Sequence, residues 1–115
     1  MLLCLSRDSV AAGDDVESHD KNFEVDSRKA LLLAIAEITQ DRYLPLIQGG
    51  KATWVVRASR GGRVLAVVAQ KWDRWERATL LVEPSIDMSQ IGDTLHFQYF
   101  AQRDEADVIG DLRSS

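Results

Sequence analysis

Apolar and polar positions divide the chain into short alternating runs, one helical stretch and polar connectors. "MLLCLSRD", residues 1–8, opens on an apolar run that predicts an interior strand, with Cys4 expected as a buried thiol between leucines. "SVAAGDDVESHDK" then turns small and polar, which predicts a loop. In "NFEVD", residues 22–26, Phe23 and Val25 alternate with Asn22, Glu24 and Asp26, as in a half-buried strand pairing back onto the first. "DSRKALLLAIAEITQ" carries Leu31, Ala34, Ile35 and Ile38 at helical spacing. Asp26 or Ser27 is the expected N-cap of this helix, accepting an orphan backbone N–H. Leu32 and Leu33 widen its apolar stripe, so the helix is expected to lie across a sheet, and Pro45 and Gly49-Gly50 break the chain after it.

The second half reads as strands. "ATWVVRAS" and "RVLAVVAQKW" flank Arg60-Gly61-Gly62, a hairpin signal because glycine reaches the positive φ of tight turns. The second of these is apolar on both faces, as a central strand should be. "RATLLVEP" predicts a third strand ended by Pro84, with a turn at "WDRW" that leaves one indole exposed. In "TLHFQYFAQ", Leu95, Phe97 and Tyr99 share one face while His96 and Gln98 point outward. "RDEADVIGDLRSS" predicts a short helix over Val108, Ile109 and Leu112, or a frayed end. The order β-β-α-β-β-β-β with hairpin links predicts an α+β fold: a mostly antiparallel sheet with one main helix packed on one face, β-grasp-like or related.

Composition narrows the class. A chain of 115 residues, 45% apolar and 28% charged, is expected to form a single domain, residues 1–115, with its own core. One cysteine cannot form an internal disulfide, which suits a reducing, cytoplasmic setting. No run approaches the roughly 20 apolar residues a bilayer requires, and "MLLCLS" is too short and lacks the basic start of a signal peptide. The net charge of −4 weighs against nucleic acid or an anionic membrane as the main partner.

That charge is banded. Residues 1–26 hold seven acids against Arg7 and Lys21, residues 51–77 hold seven bases against Asp73 and Glu76, and residues 78–115 return to seven acids against Arg103 and Arg113. Two readings stand: the basic hairpin neutralises its acidic neighbours, or the acidic segments form a surface for a basic protein, where charge complementarity speeds association and excludes wrong partners.

The densest acid is in "GDDVESHDKNF", residues 13–23. Asp14, Asp15, Glu17, His19 and Asp20 could ligate a hard cation, but the spacing is not that of an EF-hand loop, and His19, His96 and Cys4 are too few for a zinc centre. No metal and no cofactor is therefore assigned. General acid–base work could fall to His19 beside Asp20, or to His96. There is no nucleophile elbow, no P-loop and no dinucleotide fingerprint, so no catalytic residue is assigned and the chain is read as a non-enzyme. Trp54, Trp72 and Trp75 among the cations of residues 51–77 leave single-stranded nucleic-acid binding open as an alternative, as does ligand or metal binding by the acidic loop. Trp72 and Trp75 with their neighbouring arginines are also typical anchors of a protein interface.

Taken together, "RDSVAAGDDVESHDKNFEVD", "YLPLIQGGKATWVV" and "RVLAVVAQKW" resemble small bacterial proteins of polymorphic toxin systems, of the immunity type found in contact-dependent growth inhibition. The resemblance reaches to about Val82 and carries no motif that transfers a role to any one residue. It implies a non-enzymatic inhibitor of one cognate toxin, commonly a basic nuclease domain, bound through an acidic surface. On that reading the contact residues are Asp14, Asp15, Glu17, His19 and Asp20, with Trp72 and Trp75 in support.

Overall fold

The computed structural model describes residues 1–8, 20–41, 43–45, 51–71, 74–101 and 105–114. Strand β1 (Leu2–Arg7) is followed by β2 (Lys21–Glu24), helix α1 (Leu31–Gln40), β3 (Lys51–Arg57), β4 (Val64–Lys71), two-residue strands β5 (Arg74–Trp75) and β6 (Thr79–Leu80), a 3₁₀ turn at Met88–Gln90, β7 (Thr94–Ala101) and α2 (Glu105–Ser114). The strands form one sheet in the order β2-β1-β7-β3-β4-β5, with β6 also on β4. The first and last strands are parallel neighbours, with Ser6 opposite His96; every other pairing is antiparallel. Two outer hairpins, a helix between them and a final strand inserted parallel to the first give the α+β, β-grasp-like connectivity that the segment order predicts.

Alternation decides what each face buries. Leu3, Leu5, Trp54, Val56, Ala66, Val68, Leu95 and Phe97 turn toward α1, which contributes Leu31, Ala34, Ile35 and Ile38. Each buried leucine, isoleucine or valine among them, wholly withdrawn from water, contributes roughly 1.5–3 kcal/mol. The opposite face is shorter of apolar residues: Val55 and Val67 pack with Val108 of α2, flanked by Phe100, Ile109 and Leu112. The sheet thus carries a helix on each face rather than one main helix on one.

The β3–β4 hairpin turns at the predicted glycines. Gly61 has φ +73°, and a Cβ on Gly62 would lie 2.4 Å from the Ser59 Oγ. Val56 and Arg57 flank a bulge, Arg57 opposing Val64 while Val56 opposes Ala66. This is the local kink an extra residue imposes.

Four expectations are corrected. Cys4 is exposed, because alternation sends Leu3 and Leu5 to the core and Cys4 to the other face. Neither Asp26 nor Ser27 caps α1: Asp26 accepts the Arg28 N–H at 2.9 Å, and the N-cap is Ala30. The Leu31 N–H is instead satisfied by the Ile86 carbonyl at 3.2 Å, so the connector before β7 closes the helix. The "RATLLVEP" strand shrinks to Thr79–Leu80, and Arg74–Trp75 pairs with the end of β4. His96 does not point to solvent but is 3% exposed. Among the described residues no helix is long and apolar enough to cross a membrane.

Candidate functional site

Two places concentrate chemistry. The first is a polar chain on the α2 side of the sheet, built where β1 and β7 run parallel. Register sets Ser6, His96 and Arg57 in one row across three strands. The Ser6 Oγ lies 2.7 Å from His96 Nδ1, and His96 Nε2 lies 2.9 Å from Asp8 Oδ1. The other Asp8 oxygen accepts the Tyr99 N–H at 3.0 Å. Arg57 is turned away, donating to Gln98 Oε1 at 2.8 Å and the Gly62 carbonyl at 3.0 Å.

The partners fix the protons. A carboxylate only accepts, so Nε2 carries hydrogen; in the neutral imidazole Nδ1 is then the acceptor, and the Ser6 hydroxyl donates to it. Ser6 lines an open cavity of about 430 Å³ with Cys4, Asp20, Lys21, Arg60 and Thr94, whereas His96 is not part of its wall. The histidine stands behind the serine, out of water.

The second place is a groove of about 530 Å³ between α1 and the segment Arg74–Ala78, lined by Leu32, Leu33, Ala36 and Trp75 with Arg74 and Arg77. α1 is helical by its buried stripe, and Leu32 and Leu33, which widen the stripe, line the groove opposite Val68 of β4 and Trp75 of β5. Leu33 is 58% exposed, a large apolar side chain left in solvent. Trp75 is half-buried, packing part of its indole against the core.

Of the sequence-assigned contact residues, Asp14, Asp15, Glu17, His19 and Trp72 lie outside the described residues. Asp20 is exposed and lines the Ser6 cavity, and Trp75 lines the α1 groove. These two therefore belong to different places. Among the described residues no three His, Cys, Asp or Glu side chains gather as metal ligands would. Trp54 is wholly buried in the α1 core and offers no face for a base to stack on. Tyr43, stacked edge-on against Phe97 at 5.9 Å, has its pKa pushed up to about 12, chiefly by desolvation, with Arg7 opposing and Asp20 adding to the shift.

Sequence reasoning missed Ser6 and Asp8. Their signal was faint: two polar residues at alternate positions closing an apolar strand, and a histidine in another strand 90 residues from that serine. No protein-family model matches the chain, and neither does any curated protein or solved structure with which it was compared.

Proposed function

We propose that the chain is a protein-binding domain of the immunity type, acting in the cytoplasm to neutralise a cognate toxin domain by occupying its surface. The observation that carries this reading is the α1 groove, where exposed Leu33 and half-buried Trp75 stand beside Arg74 and Arg77. Tryptophan and arginine are the residues that most often dominate interface energetics, and a protruding leucine beside them supplies an anchor that loses water on binding. The charge banding supports a basic partner: acidic residues 1–26 and 78–115 flank the basic hairpin and can meet a surface evolved to hold polyanions.

The test is titration calorimetry of this chain with the purified C-terminal domain of the polypeptide encoded immediately upstream. Binding is expected with 1:1 stoichiometry, weakened at least tenfold by Leu33→Asp and by Trp75→Ala, since truncating a central interface anchor costs about 2 kcal/mol or more. Asp20→Lys should weaken it further at low salt. Unchanged affinity in both groove variants would sink the groove assignment, and no binding at all would sink the immunity reading.

A further inference from the structure

Independently of any partner, we infer that Ser6 is an activated nucleophile and that Ser6, His96 and Asp8 form an acyl-transfer site for a small carboxylic ester. Three observations meet here. The hydrogen bonds run unbroken from Asp8 Oδ1 to His96 Nε2 at 2.9 Å and from His96 Nδ1 to Ser6 Oγ at 2.7 Å, the order carboxylate, imidazole, hydroxyl that lets a serine lose its proton as it attacks. Ser6 lines a cavity whose wall does not include His96, which is 3% exposed, while the Asp8 side chain at the other end is 38% exposed. The orienting carboxylate is itself held, its other oxygen accepting the Tyr99 N–H.

The roles of the two ring nitrogens are reversed relative to a protease triad, Nδ1 facing the serine. Chemically this changes nothing, because either nitrogen of a neutral imidazole serves as base once its partner fixes the tautomer. Ser6 Oγ adds to the ester carbonyl carbon and its proton passes to His96 Nδ1, while Nε2–H stays with Asp8. Positive charge for the resulting oxyanion is supplied in the cavity wall by Arg60, Lys21 being paired with Asp41. Collapse breaks the bond to the leaving oxygen, which takes the proton from Nδ1 and leaves an acyl ester on Ser6. Water then attacks that ester, giving its proton to Nδ1, and the carboxylic acid departs as Ser6 Oγ recovers it.

The alternative role for the same residues is a structural pin between β1 and β7, and a covalent probe separates the two. A fluorophosphonate reacts with an activated serine, Oγ displacing fluoride from phosphorus as the proton goes to His96. The full chain is incubated with the probe, and the adduct is weighed on the intact protein and mapped by peptide. One adduct on Ser6 is expected, absent in Ser6→Ala and formed at least a hundredfold more slowly in Asp8→Asn. That second variant preserves an acceptor for the Tyr99 N–H while allowing the ring the wrong tautomer, and circular dichroism shows whether it folds. No adduct on folded wild-type chain, an adduct on Cys4 instead, or equal rates in Asp8→Asn would overturn the proposal and leave the pin.

Discussion

Asp8 continues a ladder that its own backbone has left: its Oδ2 accepts the Tyr99 N–H at 3.0 Å, the bond that the Asp8 carbonyl would make if β1 ran on beside β7. The Asp8 N–H still donates to the Phe97 carbonyl at 3.0 Å, and its carbonyl accepts from Arg7 Nη1 at 3.1 Å. One short side chain therefore ends a strand, holds a histidine and satisfies a main-chain donor.

Asp8→Ala should cost about 1–3 kcal/mol in urea unfolding, because it leaves the Tyr99 N–H and His96 Nε2 without their acceptor. Asp8→Asn should cost less than half of that. Equal losses would mean that the carboxylate charge, rather than the acceptor geometry, matters.

Trp54 gives a test of the core. It is wholly buried against Tyr99, ring centroids 4.9 Å apart, and its indole N–H has no hydrogen-bond partner. Trp54→Ala should cost about 3–5 kcal/mol through the cavity left behind. Trp54→Phe should cost much less, since it also removes a donor that was desolvated without compensation. Urea midpoints of the two variants decide this.

α1 should respond oppositely on its two faces. Ile35, 1% exposed, is expected to cost about 2–5 kcal/mol when cut to alanine. Leu33→Asp should stay within about 0.5 kcal/mol of wild type, as substitutions at open surface sites do. Stability and partner affinity should thus separate along a single helix.

Tyr43 sets an alkaline limit. Its folded pKa of about 12 lies above the ordinary 10.0, so the folded chain keeps a proton that the unfolded chain has lost. The stability Tyr43 contributes is complete below pH 10.0 and declines as pH rises toward 12. Phenolate absorbance against pH should show one tyrosine ionising late, and Tyr43→Phe should remove that late phase.

Much of the fold was legible because its core follows simple periods. Leu31, Ala34, Ile35 and Ile38 at helical spacing, and Leu95, Phe97 and Tyr99 at alternate positions, each name a buried face without reference to anything distant. The two-residue strand Arg74–Trp75 completes no period and left no such mark, and Thr79–Leu80 lay inside a predicted strand several times its length. The start of α1 was misplaced for a related reason: Asp26 looks like a cap locally, yet Ile86 satisfies the first turn from far along the chain. The Ser6–His96–Asp8 chain was hidden by the parallel register of β1 and β7, which no local pattern encodes. Of the residues that line the α1 groove, Trp75 was singled out in sequence beside its arginines, whereas Leu33 was read as widening the apolar stripe.

The position of β7 between β1 and β3 has a consequence in time. Until residues 94–101 take their place, the β1–β2 and β3–β4 hairpins have no strand pairing between them and are two half-sheets with open edges. The final strand must close loops spanning most of the polypeptide before it is rewarded by pairing on both sides, a slow step for contacts so remote in sequence. The chain is thus most exposed to proteases and to pairing with its own copies for as long as residues 94–101 have not taken their place between β1 and β3.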